Sequence, residues 1–231
     1  MRVMTLPESG PKRKLLDAAE RLFAERGFDS VSIRDITEAA KTNVAAVNYH
    51  FGSRESLMSW VMVRTMAPIH EERLARLDGL ERKWSGKGVP LEEIIDALIR
   101  PVIGQARKSG LSESEFYKLV GRTFAQQGDG LPKEIEEQLT VVNDRFMRVL
   151  AKALPAVTAD ELGWKIHFLL GSLIHLLTHQ ELPQRQVRGR LGEVSMEAVI
   201  SRLVRFSVAG LRDGIEPASD AKRGPQELFD F

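Results

Sequence analysis

The chain has 231 residues, of which 43% are hydrophobic and 28% are charged, with a formal net charge of +1 and no cysteine. This composition fits a globular protein with a sizeable core, and it excludes a disulfide framework, a thiol nucleophile and a cysteine-ligated metal site. Because the net charge is close to zero, any basic surface for nucleic acid must be local. No segment has the pattern of a signal peptide or a membrane span, so we expect a cytoplasmic protein with no membrane partner.

Apolar residues recur at helical spacing along most of the chain, and the alternation typical of strands is scarce, so we predict an all-α fold. The first helix should begin at Lys12 and end at Gly27, because glycine suits a helix C-terminus. Ser32, followed three residues later by Asp35, is a predicted N-cap with an acidic variant of the capping box. Ser53 is the predicted N-cap of a longer helix.

The rest of the chain is also predicted to be helical. Pro68 should kink or interrupt the helix after Ser53, because proline lacks a backbone N–H and crowds the preceding turn. Glycines and a proline mark residues 79–90 as a linker, and turn residues mark breaks at 128–130 and 182–192. Further helices are expected over five segments: 91–106, 112–126, 133–154, 159–179 and 193–212.

Two short helical patterns between Ser32 and Phe51, separated by a break at 41–43, predict a helix-turn-helix. The outer face of the second helix carries small or hydrogen-bonding side chains, which suit insertion into a DNA major groove. Arg34, Lys41 and Arg54 would supply charge for phosphates. From spacing alone, two short helices that pack together without nucleic acid remain an open alternative.

Several separated motifs resemble the DNA-binding domain of TetR-family transcriptional regulators. They are KLLDAA at 14–19, LFAERGF at 22–28, SIRDI at 32–36 and AVNYHFGSRE at 46–55, in the order and spacing of that family. The variant Ala-Ala-Val-Asn-Tyr-His-Phe is similar to the fatty-acid-responsive, PsrA-type subgroup. A weaker resemblance to the same subgroup runs through segments of the C-terminal part: 119–124, 145–146 and 164–171.

The resemblance implies a homodimer that binds a palindromic operator in double-stranded DNA and is released by a small effector. The positions that match the family's DNA contacts are Ser32, Arg34, Asn43, Val44, Ala45, Ala46, Asn48, Tyr49, His50 and Arg54. Asn48 stands where the family commonly has tyrosine, and Lys41 stands where its turn has glycine. If Lys41 adopts a positive φ, the strain is about 1 kcal/mol or more.

We therefore predict a flexible arm (1–10), a helix-turn-helix domain (11–56), a helical effector-binding and dimerisation domain (57–215) and a flexible tail (216–231). The helix at 159–179 is apolar nearly all round, which predicts burial on two sides. Together with the last helix it would form a four-helix interface across a two-fold axis. The residues alone leave a monomer equally open, whereas the resemblance favours the dimer.

The C-terminal helices should enclose a largely apolar pocket, and the subgroup resemblance points to a fatty acid or an acyl thioester as the effector. Arg122 is a candidate partner for a ligand carboxylate, although an internal salt bridge is the commoner role of such a residue. The candidate ligand-binding residues are Phe116, Arg122, Phe124, Asn143, Phe146, Met147, Trp164, His167, Phe168 and His175.

His175 and His179 share a helix face at a spacing that can hold zinc. No glutamate follows the first histidine as it does in metalloprotease helices, and the chain has no cysteine, so we expect no metal site. The sequence has no phosphate-binding loop, dinucleotide fingerprint or nucleophile elbow, and we expect neither a cofactor nor an enzyme. Two alternatives from other classes remain: a helical small-molecule-binding protein or enzyme without DNA binding, and a helical adaptor. The operator sequence, the effector and the direction of regulation stay open.

Overall fold

A computed structural model describes residues 10–125, 131–181 and 194–213. The predicted arm up to residue 9, the turn at 128–130, the run at 182–192 and the tail at 216–231 lie outside these residues. Within the described ranges the regular structure is helical, which confirms the predicted fold class. The helices are α1 (Pro11–Arg26), α2 (Ile33–Ala39), α3 (Val44–Phe51), α4 (Arg54–Lys83), α5 (Leu91–Ile99), α6 (Pro101–Ala106), α7 (Glu113–Ala125), α8 (Lys133–Ala153), α9 (Ala159–Thr178) and α10 (Met196–Arg212).

Two clusters of buried apolar side chains organise these helices. The N-terminal cluster packs α1, α2 and α3 against the first turns of α4. The C-terminal cluster packs the rest of α4 with α5 to α10. Helix α7 contributes to both, because Leu119 belongs to the N-terminal cluster while Val120 and Phe124 belong to the C-terminal cluster.

Helix α4 continues through Pro68 and ends at Lys83, so of the predicted kink or interruption at Pro68 the interruption does not occur. The predicted start of the linker at residue 79 is wrong, because residues 79–83 belong to α4. A proline inside a helix removes one backbone hydrogen bond. The neighbouring Met66 and Ile69 are buried in the C-terminal cluster, and this packing holds the helix together across the lost bond. Because α4 also supplies Leu57 to the N-terminal cluster, the predicted domain boundary at 56/57 lies within one continuous helix.

The segment 91–106, predicted as one helix, is divided into α5 and α6 at Pro101. Pro101 has no N–H to donate to the preceding turn, so the hydrogen-bond ladder is interrupted although Arg100 keeps helical dihedral angles. The helices predicted over 112–126, 133–154, 159–179 and 193–212 agree with α7 to α10 within three residues at each end. Among the described helices, none has the length and apolar character needed to cross a membrane.

Candidate DNA-binding surface and ligand cavity

The start of α2 is fixed by the predicted capping box. The Ser32 hydroxyl accepts a hydrogen bond from the Asp35 backbone N–H at 3.2 Å, and the Asp35 carboxylate accepts one from the Ser32 N–H at 2.8 Å. The Ser32 hydroxyl also donates to the Asp35 carboxylate, and this bond, together with the one from the Ser32 N–H, holds the pKa of the Asp35 carboxyl below its ordinary value. The Ser32 hydroxyl, a predicted DNA contact, is therefore engaged in orienting α2.

The turn between α2 and α3 is a Schellman motif. The Lys41 N–H donates to the Glu38 carbonyl at 3.1 Å, and the Thr42 N–H donates to the Thr37 carbonyl at 2.9 Å. Lys41 occupies the left-handed position with φ 52°, so the strained lysine anticipated from the sequence is present. Two residues after Lys41, the Asn43 side chain accepts a hydrogen bond from the Ala46 N–H at 3.0 Å and caps α3.

Helix α3 has one buried face and one exposed face. Val47 is fully buried and Phe51 is 7% exposed, and both pack into the N-terminal cluster. On the opposite face Val44 is 41% exposed and Tyr49 is 86% exposed. The exposed face consists of Val44, Ala45, Asn48 and Tyr49, while the predicted contacts Ala46 and His50 are partly buried.

The predicted phosphate contact Arg54 has internal partners. Its Nε donates to the Val31 carbonyl at 2.9 Å, and its Nη2 donates to the Phe28 carbonyl. The guanidinium therefore ties the start of α4 to the loop between α1 and α2. By contrast, the side chains of Arg34, on α2, and Lys41, in the turn before α3, are exposed to solvent.

A cavity of about 270 Å³ lies between α4, α5, α7, α8 and α9. Its wall is mostly apolar, with side chains such as Leu98, Val142 and Ile166. The predicted ligand-binding residues that line it are Phe124, Asn143, Phe146, Met147 and His167. A larger groove of about 850 Å³ between α4, α5 and α10 has a strongly charged wall and contains none of the predicted residues.

The remaining predicted ligand-binding residues lie elsewhere. Phe116 lines a separate cavity of about 220 Å³, near Glu20 and Arg64. His175 is exposed and stacks on His179, with ring centroids 4.8 Å apart. No group of three or more possible metal ligands occurs among the described residues. Three other predicted residues also lie outside the 270 Å³ cavity. Arg122 binds backbone carbonyls of α1, and the rings of Trp164 and Phe168 are exposed on α9.

Arg122 caps the C-terminus of α1. Its Nη1 donates to the carbonyls of Phe23 at 2.5 Å and Ala24 at 2.6 Å, and its Nη2 donates to the Glu25 carbonyl at 3.3 Å. Carbonyls in the last turn of a helix have no intrahelical partner, and a cation there also complements the helix dipole. The prediction of a ligand contact is therefore not supported, and neither is the alternative of an internal salt bridge, because the described partners are backbone carbonyls.

Trp164 and Phe168 lie on the outside of α9, exposed by 60% and 62%, and their rings stack with centroids 6.0 Å apart. Phe206 on α10 is 72% exposed. On the inner side of α9, Lys165 is buried and its Nζ donates to the carbonyls of Gly210 at 2.7 Å and Asp213 at 2.8 Å. Lys165 therefore binds α9 to the end of α10, and the two helices present their aromatic side chains outward.

The cavity also contains a residue that the sequence analysis missed, Arg73 of α4. It is 2% exposed, its Nε donates to the Leu98 carbonyl at 2.7 Å, and its guanidinium lies 5.5 Å from the centre of the Phe124 ring. Its Nη2 is buried and has no hydrogen-bond partner among the described residues. Burial lowers the pKa of Arg73 to about 10.

His70, one turn before Arg73, is buried as well. Burial and the nearby charge of Arg73 lower the pKa of His70 to about 4, so the imidazole is neutral at pH 7. Its Nδ1 lies 3.3 Å from Oε1 of Gln138. The sequence contained a signal for Arg73, because it shares the helical spacing of the buried Met66, Ile69 and Leu77 and so places a cation in an apolar stripe.

Two family profiles match the chain over most of the described structure. Residues 15–59 match the bacterial regulatory proteins of the tetR family, and residues 96–210 match the tetracyclin repressor-like C-terminal domain. The matched segments cover the helix-turn-helix and most of the C-terminal helices. The chain belongs to the TetR family of transcriptional regulators, which confirms the family resemblance and the prediction of a regulator rather than an enzyme.

Individual relatives are similar over parts of their length. The HTH-type transcriptional repressor KstR2 of Rhodococcus jostii (strain RHA1) is 40% identical over 58 residues, which are 25% of this chain and 28% of that protein. The HTH-type transcriptional regulator AcrR of Shigella flexneri is 28% identical over 110 residues, 46% of this chain and 48% of that protein. The chain thus spans about a quarter to a half of the length of these relatives.

A similar fold occurs in a solved TetR-like transcriptional regulator from Rhodococcus sp. RHA1. The TM-score is 0.60 at 18% sequence identity, and the match covers 90% of this chain and 98% of that chain. At this identity the likeness concerns the fold alone, so the ligand and the operator of this chain must be inferred from its own residues.

Proposed function

We propose that this protein is a cytoplasmic, homodimeric repressor that binds a palindromic operator and is released by a small apolar effector. The observation that carries the proposal is the exposed face of α3. The strained turn at Lys41 and the Asn43 cap hold the start of this short helix, and its exposed side chains are small, aromatic or hydrogen-bonding. Such a surface suits the major groove, where asparagine can pair with adenine and small apolar groups meet the thymine methyl.

The exposed aromatic side chains support the dimer. Trp164, Phe168 and Phe206 form one outward-facing apolar area on α9 and α10, and such areas mark protein interfaces. Two copies related by a two-fold axis would bury these rings in a four-helix interface. The two copies of α3 must then meet successive major grooves, roughly 34–36 Å apart or a multiple of that distance, and the operator should be an inverted repeat.

The 270 Å³ cavity supports an apolar effector. At about 30 Å³ for a water-sized group, it holds roughly nine non-hydrogen atoms without expansion. The resemblance to PsrA-type regulators suggests a fatty acid or an acyl thioester, and this volume favours a chain of medium length. Each buried methylene contributes about 0.8 kcal/mol, so affinity should increase with chain length until the cavity is filled.

Helix α7 provides the route from the cavity to the DNA-binding surface. Phe124 lines the cavity, and Arg122, two residues earlier on the same helix, holds the C-terminus of α1. An effector that displaces Phe124 would move α7 and, through Arg122, the N-terminal helices. Release from DNA requires the effector to prefer the conformation in which the two copies of α3 are wrongly spaced.

A mobility-shift assay with the DNA upstream of the protein's own gene tests this function. Arg34→Ala should weaken binding to every sequence and reduce the slope of log affinity against log salt concentration by about one unit. Arg148→Ala removes an exposed arginine from α8 and should leave the slope unchanged. Asn48→Ala and Tyr49→Ala should instead alter the preference among operator variants.

Footprinting on the same DNA tests the symmetry. An inverted repeat is expected. A single asymmetric half-site would contradict the dimeric mode of binding, and the absence of any retarded complex would contradict the proposed function as a whole.

A further inference from the structure

Arg73 is a buried cation whose charge is not balanced by any described side chain. Of the carboxylates nearest to it along α4, Glu71 is exposed, whereas Arg73 is buried. Glu72 accepts hydrogen bonds from Arg76 and Gln105, and Asp78 accepts one from Arg145. The lowered pKa of Arg73 has burial as its cause, without an opposing carboxylate. A buried guanidinium is stable only when its charge and its donors are satisfied, so the unpartnered Nη2 calls for an anion.

The cavity gives this donor an orientation. Arg73 is buried, whereas the polar lining residues Asn143 and His167 are exposed. Arg73 therefore lies at the inner end of the cavity, and the two exposed residues mark its mouth. The wall between them is apolar, with Val142, Phe146 and their neighbours. An anionic group that reaches Arg73 must enter first, with an apolar body filling the space behind it.

We infer that the cavity binds a monocarboxylic acid of about eight carbon atoms in total, and that Arg73 anchors its carboxylate at the inner end. The inference rests on the proposed function only in using the same cavity. The carboxylate accepts charge-assisted hydrogen bonds from the guanidinium, while the chain packs against the apolar wall. A thioester is excluded from this orientation, because its carbonyl carbon carries a bulky group where the carboxylate oxygen meets Arg73.

Arg73 also has a structural contact, because its Nε donates to the Leu98 carbonyl near the end of α5. This contact uses one donor and leaves Nη2 facing no described acceptor. A purely structural arginine would change stability when replaced, but it would not make the protein distinguish a carboxylate from an alcohol of the same length. The experiment must therefore measure that distinction.

The test is calorimetric titration of the full-length protein with octanoate, octan-1-ol and octanoyl-coenzyme A. Hydrogen bonds to charged groups predict that octanoate binds roughly tenfold to 100-fold more tightly than octan-1-ol, and that the thioester binds more weakly than the acid. In Arg73→Met the preference for octanoate over octan-1-ol should disappear, because methionine keeps the apolar stem without the charge. Arg145→Met, which removes a paired arginine outside the cavity, should keep the full preference.

Equal binding of octanoate and octan-1-ol by the unmodified protein, no binding of either, or an unchanged preference in Arg73→Met would overturn the inference. If Arg73→Met does not fold, the pKa of bound [1-¹³C]octanoate, measured by NMR in the unmodified protein, decides the question. Pairing with Arg73 should lower that pKa relative to free octanoate, whereas an apolar site without a cation would raise it. If octanoate binds as expected but leaves the DNA complex intact, the inference holds and the proposed function fails.

Discussion

Arg122→Met is the most direct perturbation of the link between the cavity and the DNA-binding helices. The substitution keeps an apolar stem on α7 and removes the hydrogen bonds to the last turn of α1. The Phe23 carbonyl retains the Gly27 N–H as a partner at 3.0 Å, whereas the Ala24 carbonyl is left to water. At about 1 kcal/mol for each of the two part-buried bonds, we expect the free energy of unfolding to fall by about 2 kcal/mol.

The larger effect should be on regulation. Coupling between two sites is typically about 1–3 kcal/mol, which corresponds to roughly 5-fold to 150-fold in affinity. If Arg122 carries most of this coupling, Arg122→Met should reduce the octanoate-induced loss of operator affinity by about tenfold while leaving octanoate binding itself unchanged. Fluorescence anisotropy of a labelled operator, with and without octanoate, measures the first quantity, and calorimetry measures the second.

Arg145→Met is the matched control for this experiment. Arg145 joins α8 to α4 through Asp78 and Glu81 and has no described contact with α1. The Arg145→Met protein should therefore be somewhat less stable than the unmodified protein and should keep the full response to octanoate. If octanoate releases folded Arg122→Met from DNA to the same extent as the unmodified protein, then α7 transmits nothing through this contact and the proposed coupling is refuted.

Three further predictions concern stability and are measured by thermal or urea unfolding. Gly121→Ala places a Cβ 2.7 Å from Cγ2 of Thr178 and should lower the free energy of unfolding by about 1–3 kcal/mol. Gly79→Ala meets nothing within 4 Å and should raise it by up to about 1 kcal/mol. Equal effects of the two substitutions would contradict the close approach of α7 and α9. Lys41→Gly relieves the positive φ and should raise the stability by about 0.5–1 kcal/mol, and a lower melting temperature would argue against strain. Burial raises the pKa of Glu20 to about 7, so the folded state holds the proton more tightly than the unfolded state. The free energy of unfolding should therefore fall by up to about 3 kcal/mol as the pH rises from 4.5 past 7. Glu20→Gln should abolish that fall, and an unchanged pH dependence would show that another group causes it.

Much of the fold could be predicted because its signals are local. The hydroxyls of Ser32 and Ser53 accept the hydrogen bonds expected of N-caps, and α2 and α4 begin immediately after them. Prolines were harder to interpret, since the same residue type gives different outcomes. Pro68 lies inside α4, whereas Pro101 separates α5 from α6. The rule for proline gives the cost of one lost hydrogen bond, and tertiary packing decides whether the helix continues across it.

The ligand cavity could be predicted only in part, because composition does not show which side of a buried helix faces a cavity. Phe124 and Phe146 line the cavity, while Trp164 and Phe168 are exposed on α9. All four lie on apolar helices, and only the packing of those helices separates them. Arg73 was missed for a different reason: its stripe of apolar neighbours was visible in the sequence, but an arginine at a helical position normally extends to water.

Helix α7 connects three parts of the molecule within six residues. Leu119 packs in the N-terminal cluster, Gly121 lets α7 approach α9, and Phe124 lines the cavity. Because close-packed interiors transmit strain, a rigid helix cannot shift at one of these contacts and remain fixed at the others. An effector that is accommodated by movement of α8 alone would therefore bind without consequence. If the protein is released from DNA by an effector as proposed, that effector must displace Phe124 and so move Arg122 relative to α1. We therefore expect occupancy and release to be coupled at the Phe124 ring, which lies beside Arg73.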